Sequence, residues 1–329
     1  MTLRSAILQQ WYQRSTWIWI LWPLQWLYYL ILLIKHLFKP AALSSHLPRP
    51  RTIIVGNLTV GGNGKTPFVA YLATQFTKRQ LKVAIMGHGY RCQLNQACWV
   101  NEHSQPQEVG DEALWLFHHT QCPVVVAPTR KQAWQAVLAH RSFDLVIADD
   151  GLHDHSFPHD HEWVMMHHQR QLGNGGLLPF GPVRYPKTLL SASAKMISHH
   201  EFYDQPLDHG YWTHRQLKHF WHKGKDLPLS HLKGRQVHAV TAIAHPEVFV
   251  DNLISLGINV TAHYFADHHL FSQQDFDQLA SEIIVMTEKD WVKCQSFQLK
   301  NVYVLMTEIK VSLKMEKWVD DKVNNIQSK

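Results

Sequence analysis

The chain has 329 residues, of which 45% are hydrophobic, and a formal net charge of +6. That length accommodates one large or two modest α/β domains and excludes a small stapled scaffold, and the four cysteines form no C-x-x-C pair, which argues against a disulfide framework or zinc ribbon and for a reducing compartment. The charge suits an anionic leaflet or a phosphorylated lipid; no dense basic block or nucleic-acid motif accompanies it, so no nucleic-acid partner is expected.

The first element is an almost uncharged run of 18 residues from Trp17 to Ile34, interrupted only by Pro23 and Gln25. Its length is near the lower limit for crossing roughly 30 Å of hydrocarbon as a helix. Tryptophans crowd its first half, and Arg14, Lys35 and Lys39 flank it, as expected for a membrane anchor that either spans or lies in the interface. A buried helix of a soluble protein is the alternative. A cleaved signal peptide fits less well, because cations follow the apolar run directly.

Next comes Ile53-Ile54-Val55-Gly56-Asn57-Leu58-Thr59-Val60-Gly61-Gly62-Asn63-Gly64-Lys65-Thr66-Pro67, an apolar strand feeding a glycine-rich turn at the start of a helix. In a P-loop, such glycines turn backbone N–H groups toward phosphate, the lysine reaches the β- and γ-oxygens, and the threonine hydroxyl ligates Mg²⁺. Residues Gly61 to Pro67 are therefore the expected nucleotide cradle. The strict pattern asks for glycine at position 59, where this chain has Thr59, and a plain β-to-α turn remains the alternative.

From there, strand-like runs at 52–56, 82–86, 123–127, 143–148 and 162–166 alternate with helix-like stretches at 66–79, 110–119 and 129–140. This pattern predicts an α/β fold with a mostly parallel sheet covered by helices on both faces and ligands at the carboxyl ends of the strands. The run Phe143 to Ala148 ends in Asp149-Asp150-Gly151, the way a Walker B strand presents a carboxylate to Mg²⁺; a strand closing in an Asp-Gly turn is the simpler reading. The glycine- and proline-rich stretch 170–186 reads as a shaped loop. Residues 199–234 read as polar and irregular, a transition to a second half with strands near 236–243, 258–265, 282–287 and 301–306. The 25 histidines, dense around 153–168, read mainly as solvated loop residues rather than as a zinc site.

Taken together and in order, the apolar N-terminal helix, VGNLTVGGNGKTP, Val109-Gly110-Asp111-Glu112, Ala148-Asp149-Asp150-Gly151, GNGGLLPFGPVR, FADHH and TEKD resemble the tetraacyldisaccharide 4′-kinases of lipid A biosynthesis over nearly the whole chain. In that family, threonine at position 59 is normal. The resemblance implies a P-loop kinase core (46–200), a smaller second α/β lobe (201–329) and an N-terminal membrane helix with its linker (1–45). It implies transfer of the ATP γ-phosphoryl group to the 4′-hydroxyl of tetraacyldisaccharide 1-phosphate, giving lipid IVA, at the cytoplasmic face of a bacterial inner membrane. No obligate protein partner is implied. Lys65 would neutralise phosphate, Thr66 and Asp149 or Asp150 would hold Mg²⁺, and Asp111 paired with His268 would take the proton of the sugar hydroxyl. Tyr90, Arg130, Asn174 and Arg184 would contact substrate, with a surface arginine opening a helix as the plain alternative for Arg130.

The chain departs from the family pattern at Gly87-His88 (usually Ser-Arg), at His153-Asp154 (usually Gln-His), at Tyr185 (usually glutamate) and at Ala242-Ile243-Ala244-His245-Pro246 (usually Gly-Ile-Gly-Asn-Pro). The expectation is a divergent active kinase. A membrane-bound P-loop switch without an acceptor reaction, and a soluble small-molecule kinase, are the competing readings.

Overall fold

The computed structural model describes residues 10–12, 17–38, 49–87, 94–140, 142–202, 210–279 and 281–328. A short 3-10 turn at Trp17–Leu21 leads into α1 (Trp22–Leu37), with Pro23 in its first turn, where a missing N–H costs nothing. Then follow β1 (Arg51–Asn57), α2 (Lys65–Lys78), β2 (Val83–Met86), β3 (Cys98–Trp99), α3 (Asp111–Thr120), β4 (Val124–Val126), α4 (Arg130–His140), β5 (Leu145–Asp149) and β6 (His161–His167). The second half holds β7 (Lys195–Glu201), β8 (Trp212–His222), β9 (Lys225–Leu227), β10 (Gln236–Thr241), α5 (Pro246–Ser255), β11 (Asn259–Tyr264), β12 (Ile284–Thr287), β13 (Val302–Val311) and α6 (Leu313–Gln327).

These strands form one sheet in the order β11-β10-β12-β13-β8-β7-β6-β1-β5-β2-β4-β3, with β9 beside β8. It is parallel except at β3–β4, β8–β9 and β8–β13. Alternation along each strand divides two faces. Ile53, Val55, Ile85, Leu145 and Ile147 pack with Phe68, Leu72 and Phe76 of α2 and with Met315, Trp318 and Val319 of α6. Ile54, Met86, Val146 and Ala148 pack with Ala133, Trp134 and Val137 of α4 on the other face. Each buried aromatic or aliphatic side chain contributes roughly 1.5–3 kcal/mol, so these two layers hold the strand ends rigidly. In the second half, Val237, Ala239 and Val285 face α5, and Val240, Ile284 and Met286 face Phe271 and Phe276.

One expectation is corrected. Residues 199–234 are not an irregular transition: the end of β7, all of β8 and β9, and a 3-10 turn at Leu229–Leu232 lie there. The eleven-residue β8 pairs parallel to β7 and antiparallel to β13, so it joins the two halves into one sheet. Its polar composition suits a strand only partly buried on both faces, whose partner β13 follows some eighty residues later. The C-terminal α6 crosses back to the first half, where Trp318 meets Trp163 edge-on at 4.8 Å.

Residues Ile18–Leu37 form a helix long and apolar enough to cross a membrane. One side of α1 is fastened to the protein: Tyr28 Oη donates to the Arg184 carbonyl (2.8 Å), Gln25 Oε1 accepts from Leu177 N (3.2 Å), and Leu32 and Leu33 pack on the α4 core. The other side leaves Trp22, Trp26, Leu27, Leu30, Ile31 and Ile34 exposed.

Candidate active site

The carboxyl end of β1 passes into the glycine turn, which is knitted by its own side chains. Asn57 Nδ2 donates to the Thr59 carbonyl (2.8 Å) and Asn63 Nδ2 to Thr59 Oγ1 (3.0 Å), both buried. Threonine at position 59 thus supplies an internal acceptor that glycine lacks. Gly64 caps α2 in the left-handed region (φ 72°), and a Cβ there would lie 2.5 Å from the His199 ring. Only glycine satisfies both constraints. Pro67 sits in the first turn of α2, where its absent N–H is no loss, and the leading N–H groups of that helix have no intrahelical partner. Gly62 has nothing within 4 Å of an added Cβ and is the open part of the turn, the arrangement that accepts an anion.

Behind the turn, the expected ions converge. Thr66 Oγ1 donates to Asp149 Oδ2 (2.8 Å), and Lys65 Nζ donates to Asn57 Oδ1 (3.1 Å) and lies 3.6 Å from Asp150 Oδ2. The two aspartates diverge because Asp150 takes a left-handed conformation (φ 67°), with its N–H bonded to the Val55 carbonyl (2.8 Å). Asp150 meets Arg184 Nη2 at 2.6 Å and 2.7 Å. Burial opposes its ionisation, but Lys65 and then Arg184 overcome this and hold the carboxyl well below the usual range. Asp149 is pushed up to about 7, first by burial and then by the Glu112 charge. Its Oδ1 is buried with no hydrogen-bond partner among the described residues. An orphan carboxylate oxygen beside a P-loop threonine fits a divalent cation, which Thr66 and Asp149 could hold. Among the described residues no cluster of three His, Cys, Asp or Glu side chains offers another metal set.

A second cluster lies where the two halves meet. His268 Nδ1 lies 3.0 Å and 3.1 Å from the Asp111 carboxylate oxygens. Asp111 opens α3, whereas His268 follows β11 in a left-handed conformation (φ 64°) with its N–H on the Ala242 carbonyl. A non-glycine residue there is a strained placement that the surrounding structure must enforce. The Asp111 hydrogen bond raises the His268 pKa. Asp111 stays ionised far below the usual carboxylate range: burial opposes this, but His268 and Lys289 outweigh it.

The TEKD segment builds much of this cluster. Thr287 caps a short helical turn; Glu288 accepts from Thr307 N (2.6 Å) and from the Trp115 indole of α3 (3.3 Å). Lys289 Nζ reaches Glu112 (3.0 Å) and Asp111 (3.6 Å). Asp290 accepts from Thr241 Oγ1 (2.9 Å) and Ala242 N (3.2 Å), fixing the end of β10. Lys289 carries no expected role from the sequence; its position two residues past the strand-end Thr287 was the available signal.

The four expected substrate contacts separate. Arg184 lies not at an open substrate face but on Asp150 and Asn57, as part of the phosphate cluster. Arg130 is buried, not at the surface: it donates to the carbonyls of Met86 (2.9 Å), Gly87 (3.1 Å) and Asp149, clamping the ends of β2 and β5. Asn174 is internal to its loop, with Nδ2 on the Phe180 carbonyl (3.0 Å) and Oδ1 accepting from Gly176 N (3.0 Å). Tyr90 lies outside the described residues. Tyr185, where the family usually has glutamate, is buried in the α4 core with its hydroxyl on the Leu189 carbonyl (3.0 Å).

Residues 17–324 match the family model described as tetraacyldisaccharide-1-P 4′-kinase. The chain is 36% identical over 331 residues to the tetraacyldisaccharide 4′-kinase of Hahella chejuensis, covering 97% of this chain and 96% of that protein. It is 37% identical over 301 residues to that of Coxiella burnetii strain CbuK_Q154, covering 89% and 87% respectively. The solved structure of the "apo" form of LpxK from Aquifex aeolicus in complex with ATP superposes with a TM-score of 0.76 at 25% identity, covering 94% of this chain and 99% of that one. On a family-model match over nearly the whole chain and relatives of 36–37% identity, this protein belongs to the tetraacyldisaccharide-1-P 4′-kinase family.

Proposed function

We propose that this chain transfers the γ-phosphoryl group of ATP to the 4′-hydroxyl of tetraacyldisaccharide 1-phosphate, giving lipid IVA in lipid A biosynthesis. The observation that carries the reading is the Asp111–His268 pair, which lies beside Glu112, whose charge acts on Asp149 of the phosphate cluster. A nucleotide switch has no use for a half-buried acid–base pair, so that alternative is not favoured.

In the reaction, the acceptor oxygen forms a bond to the γ-phosphorus as the bond from phosphorus to the bridging oxygen breaks. The acceptor proton goes to Asp111, whose ionised form His268 and Lys289 stabilise, and ADP leaves. Phosphoryl transfer needs positioning and charge neutralisation more than covalent help. Lys65 and the turn N–H groups would hold the phosphates, while Arg184 and Asn57 keep Lys65 and Asp150 in register. Thr66 and Asp149 would hold Mg²⁺, which supplies neutralisation of charge on the phosphate oxygens. Arg130 and Asn174 act on substrate indirectly, by fixing the strand ends and the 170–186 loop.

For the membrane, we take α1 to lie in the inner leaflet on the cytoplasmic side rather than to cross it. One face is fastened to the core and the other carries exposed tryptophans and leucines, as an interfacial helix does. The units at 1–45, 46–200 and 201–329 serve as anchor, nucleotide half and acceptor-activating half, with α6 returning to the nucleotide half.

The test is transfer of labelled γ-phosphate from Mg·ATP to tetraacyldisaccharide 1-phosphate in detergent micelles, with Lys65→Ala alongside. Labelled lipid from the wild type alone supports the reading. ATP binding with no labelled lipid would overturn it.

A further inference from the structure

The reaction described so far leaves one cation at the phosphate turn unused. Arg170 begins the glycine-rich loop after β6, and its side chain turns back over the P-loop. Its Nη2 donates to the Gly62 carbonyl (2.5 Å), and its Nη1 is 3.6 Å from the position that a Gly61 Cβ would occupy. Its Nη1 also bonds His245 Nε2 at 2.8 Å. His245 comes from the opposite half, as the cap of α5, and its Nδ1 lies 3.5 Å from Glu247. The guanidinium therefore spans the mouth between the phosphate turn and the half that carries His268.

Its charge balance sets it apart. Lys65 and Arg184 both face Asp150, and Lys289 faces Asp111 and Glu112. Arg170 forms no carboxylate ion pair among the described residues; its two partners are a carbonyl oxygen and an imidazole nitrogen. A half-buried guanidinium left without a counter-ion at an anion-binding turn is placed to meet negative charge that arrives with a ligand. At Gly62 an added Cβ would meet nothing within 4 Å, so a phosphoryl group can approach beside the guanidinium.

We propose that Arg170 contacts the transferring phosphoryl group and stabilises the charge on it, with His245 as the positioning residue that holds the guanidinium across the cleft. The inference rests on the kinase reading above. It also gives a function to His245, which stands where the family usually has asparagine: an imidazole reaches Arg170 while staying fixed by the turn before Pro246.

The experiment compares wild type, Arg170→Ala, Arg170→Lys and His245→Ala in labelled-phosphate transfer to the acceptor lipid, together with Kd for ADP and for a non-hydrolysable ATP analogue. Arg170→Ala should lower kcat about 100-fold, below the upper range known for arginines that stabilise phosphoryl transfer. Kd for the ATP analogue should rise, and Kd for ADP should stay within about twofold of wild type, because ADP lacks the group that Arg170 meets. Arg170→Lys keeps a charge but not the planar fork, so it should recover only part of the loss. His245→Ala should cost about tenfold in kcat with ADP affinity unchanged. A kcat within twofold of wild type for Arg170→Ala would overturn the inference. So would a loss of ADP affinity in step with kcat, which marks a mere brace of the Gly62 turn; Arg170→Lys supplies the same readouts if the alanine variant folds poorly. Failure of the wild type to label the lipid would strike instead at the kinase reading.

Discussion

The two strand-end clusters are built differently. The phosphate cluster draws Lys65 and Thr66 from the start of α2 just after β1, Asp149 and Asp150 from the end of the neighbouring β5, and Arg184 from a loop bonded to β1, all braced by the two core layers. The acid–base cluster takes Asp111 from α3 in the first half, but His268 and Lys289 from loops of the second. The first is complete within one packed unit. The second exists only while the halves keep their relation through β7, β8, β13 and the Glu288 contacts to α3. Nucleotide binding should therefore survive changes that abolish acceptor activation.

Substitutions can break or sharpen that contrast. The largest effect is expected for Lys65→Ala: ATP affinity and turnover should both collapse, turnover by about 10³-fold or more, as for loss of a main phosphate cation. Asp111→Asn should lower kcat by about 10²–10⁴-fold, the range for a positioned general base, while ATP Kd stays near wild type. Equal loss of ATP binding in that variant would show the clusters to be one unit.

Next in size is Lys289→Met, for which a fall of about tenfold in kcat is expected, with the acid limb of the pH–rate profile moved to higher pH as Asp111 loses a neighbouring cation. An unmoved limb would remove Lys289 from the cluster.

Two smaller effects concern stability. Asp149 is pushed up to about 7 in the fold from an ordinary value of 3.8, chiefly by burial. The folded state thus holds that proton more tightly, and stability is lost as pH rises from 3.8 through about 7. Asp149→Asn should accordingly raise Tm of the nucleotide-free protein at pH 8 while removing turnover; a lower Tm there would contradict the unpaired oxygen. The Asp111–His268 pair acts in a different window. Asp111, with its folded pKa depressed, contributes above 3.8, and this is lost as pH falls through the folded value. His268, with its folded pKa raised, contributes below 6.5, and this is lost as pH rises through the folded value. Replacing His268 by Gln should lower Tm most between those limits and least at pH 9, as read by thermal melts across pH.

The smallest effect on chemistry is expected from Trp26→Ser with Leu30→Ser on the exposed face of α1. Vesicle sedimentation should fall several-fold while ATP affinity is unchanged. Undiminished sedimentation would detach this face from the membrane.

Much of the phosphate cluster was legible because its chemistry is local: Gly61 to Pro67 and Asp149-Asp150 lie at the ends of apolar runs whose length and alternation mark strands and a helix start. The core strands of both halves were legible for the same reason. Strand β8 was not, because its pairing is supplied by β13 far along the chain and its own pattern is neither apolar nor cleanly alternating. Arg130 and Asn174 were visible as residues but not as roles. Whether a guanidinium faces a ligand or three backbone carbonyls depends on which strand ends are brought beside it.

The sequence by itself determined the nucleotide turn, the paired carboxylates, the apolar N-terminal helix and, through the order of its motifs, the family. Those features depend on residues close in the chain, where backbone geometry and side-chain type suffice. Only the tertiary structure decided that Asp149 rather than Asp150 meets Thr66, that Lys289 joins Asp111 and that His245 reaches Arg170. Each is a contact between segments separated by tens of residues or more: the first is fixed by the pairing of β1 with β5, the other two by the packing of two halves on one continuous sheet.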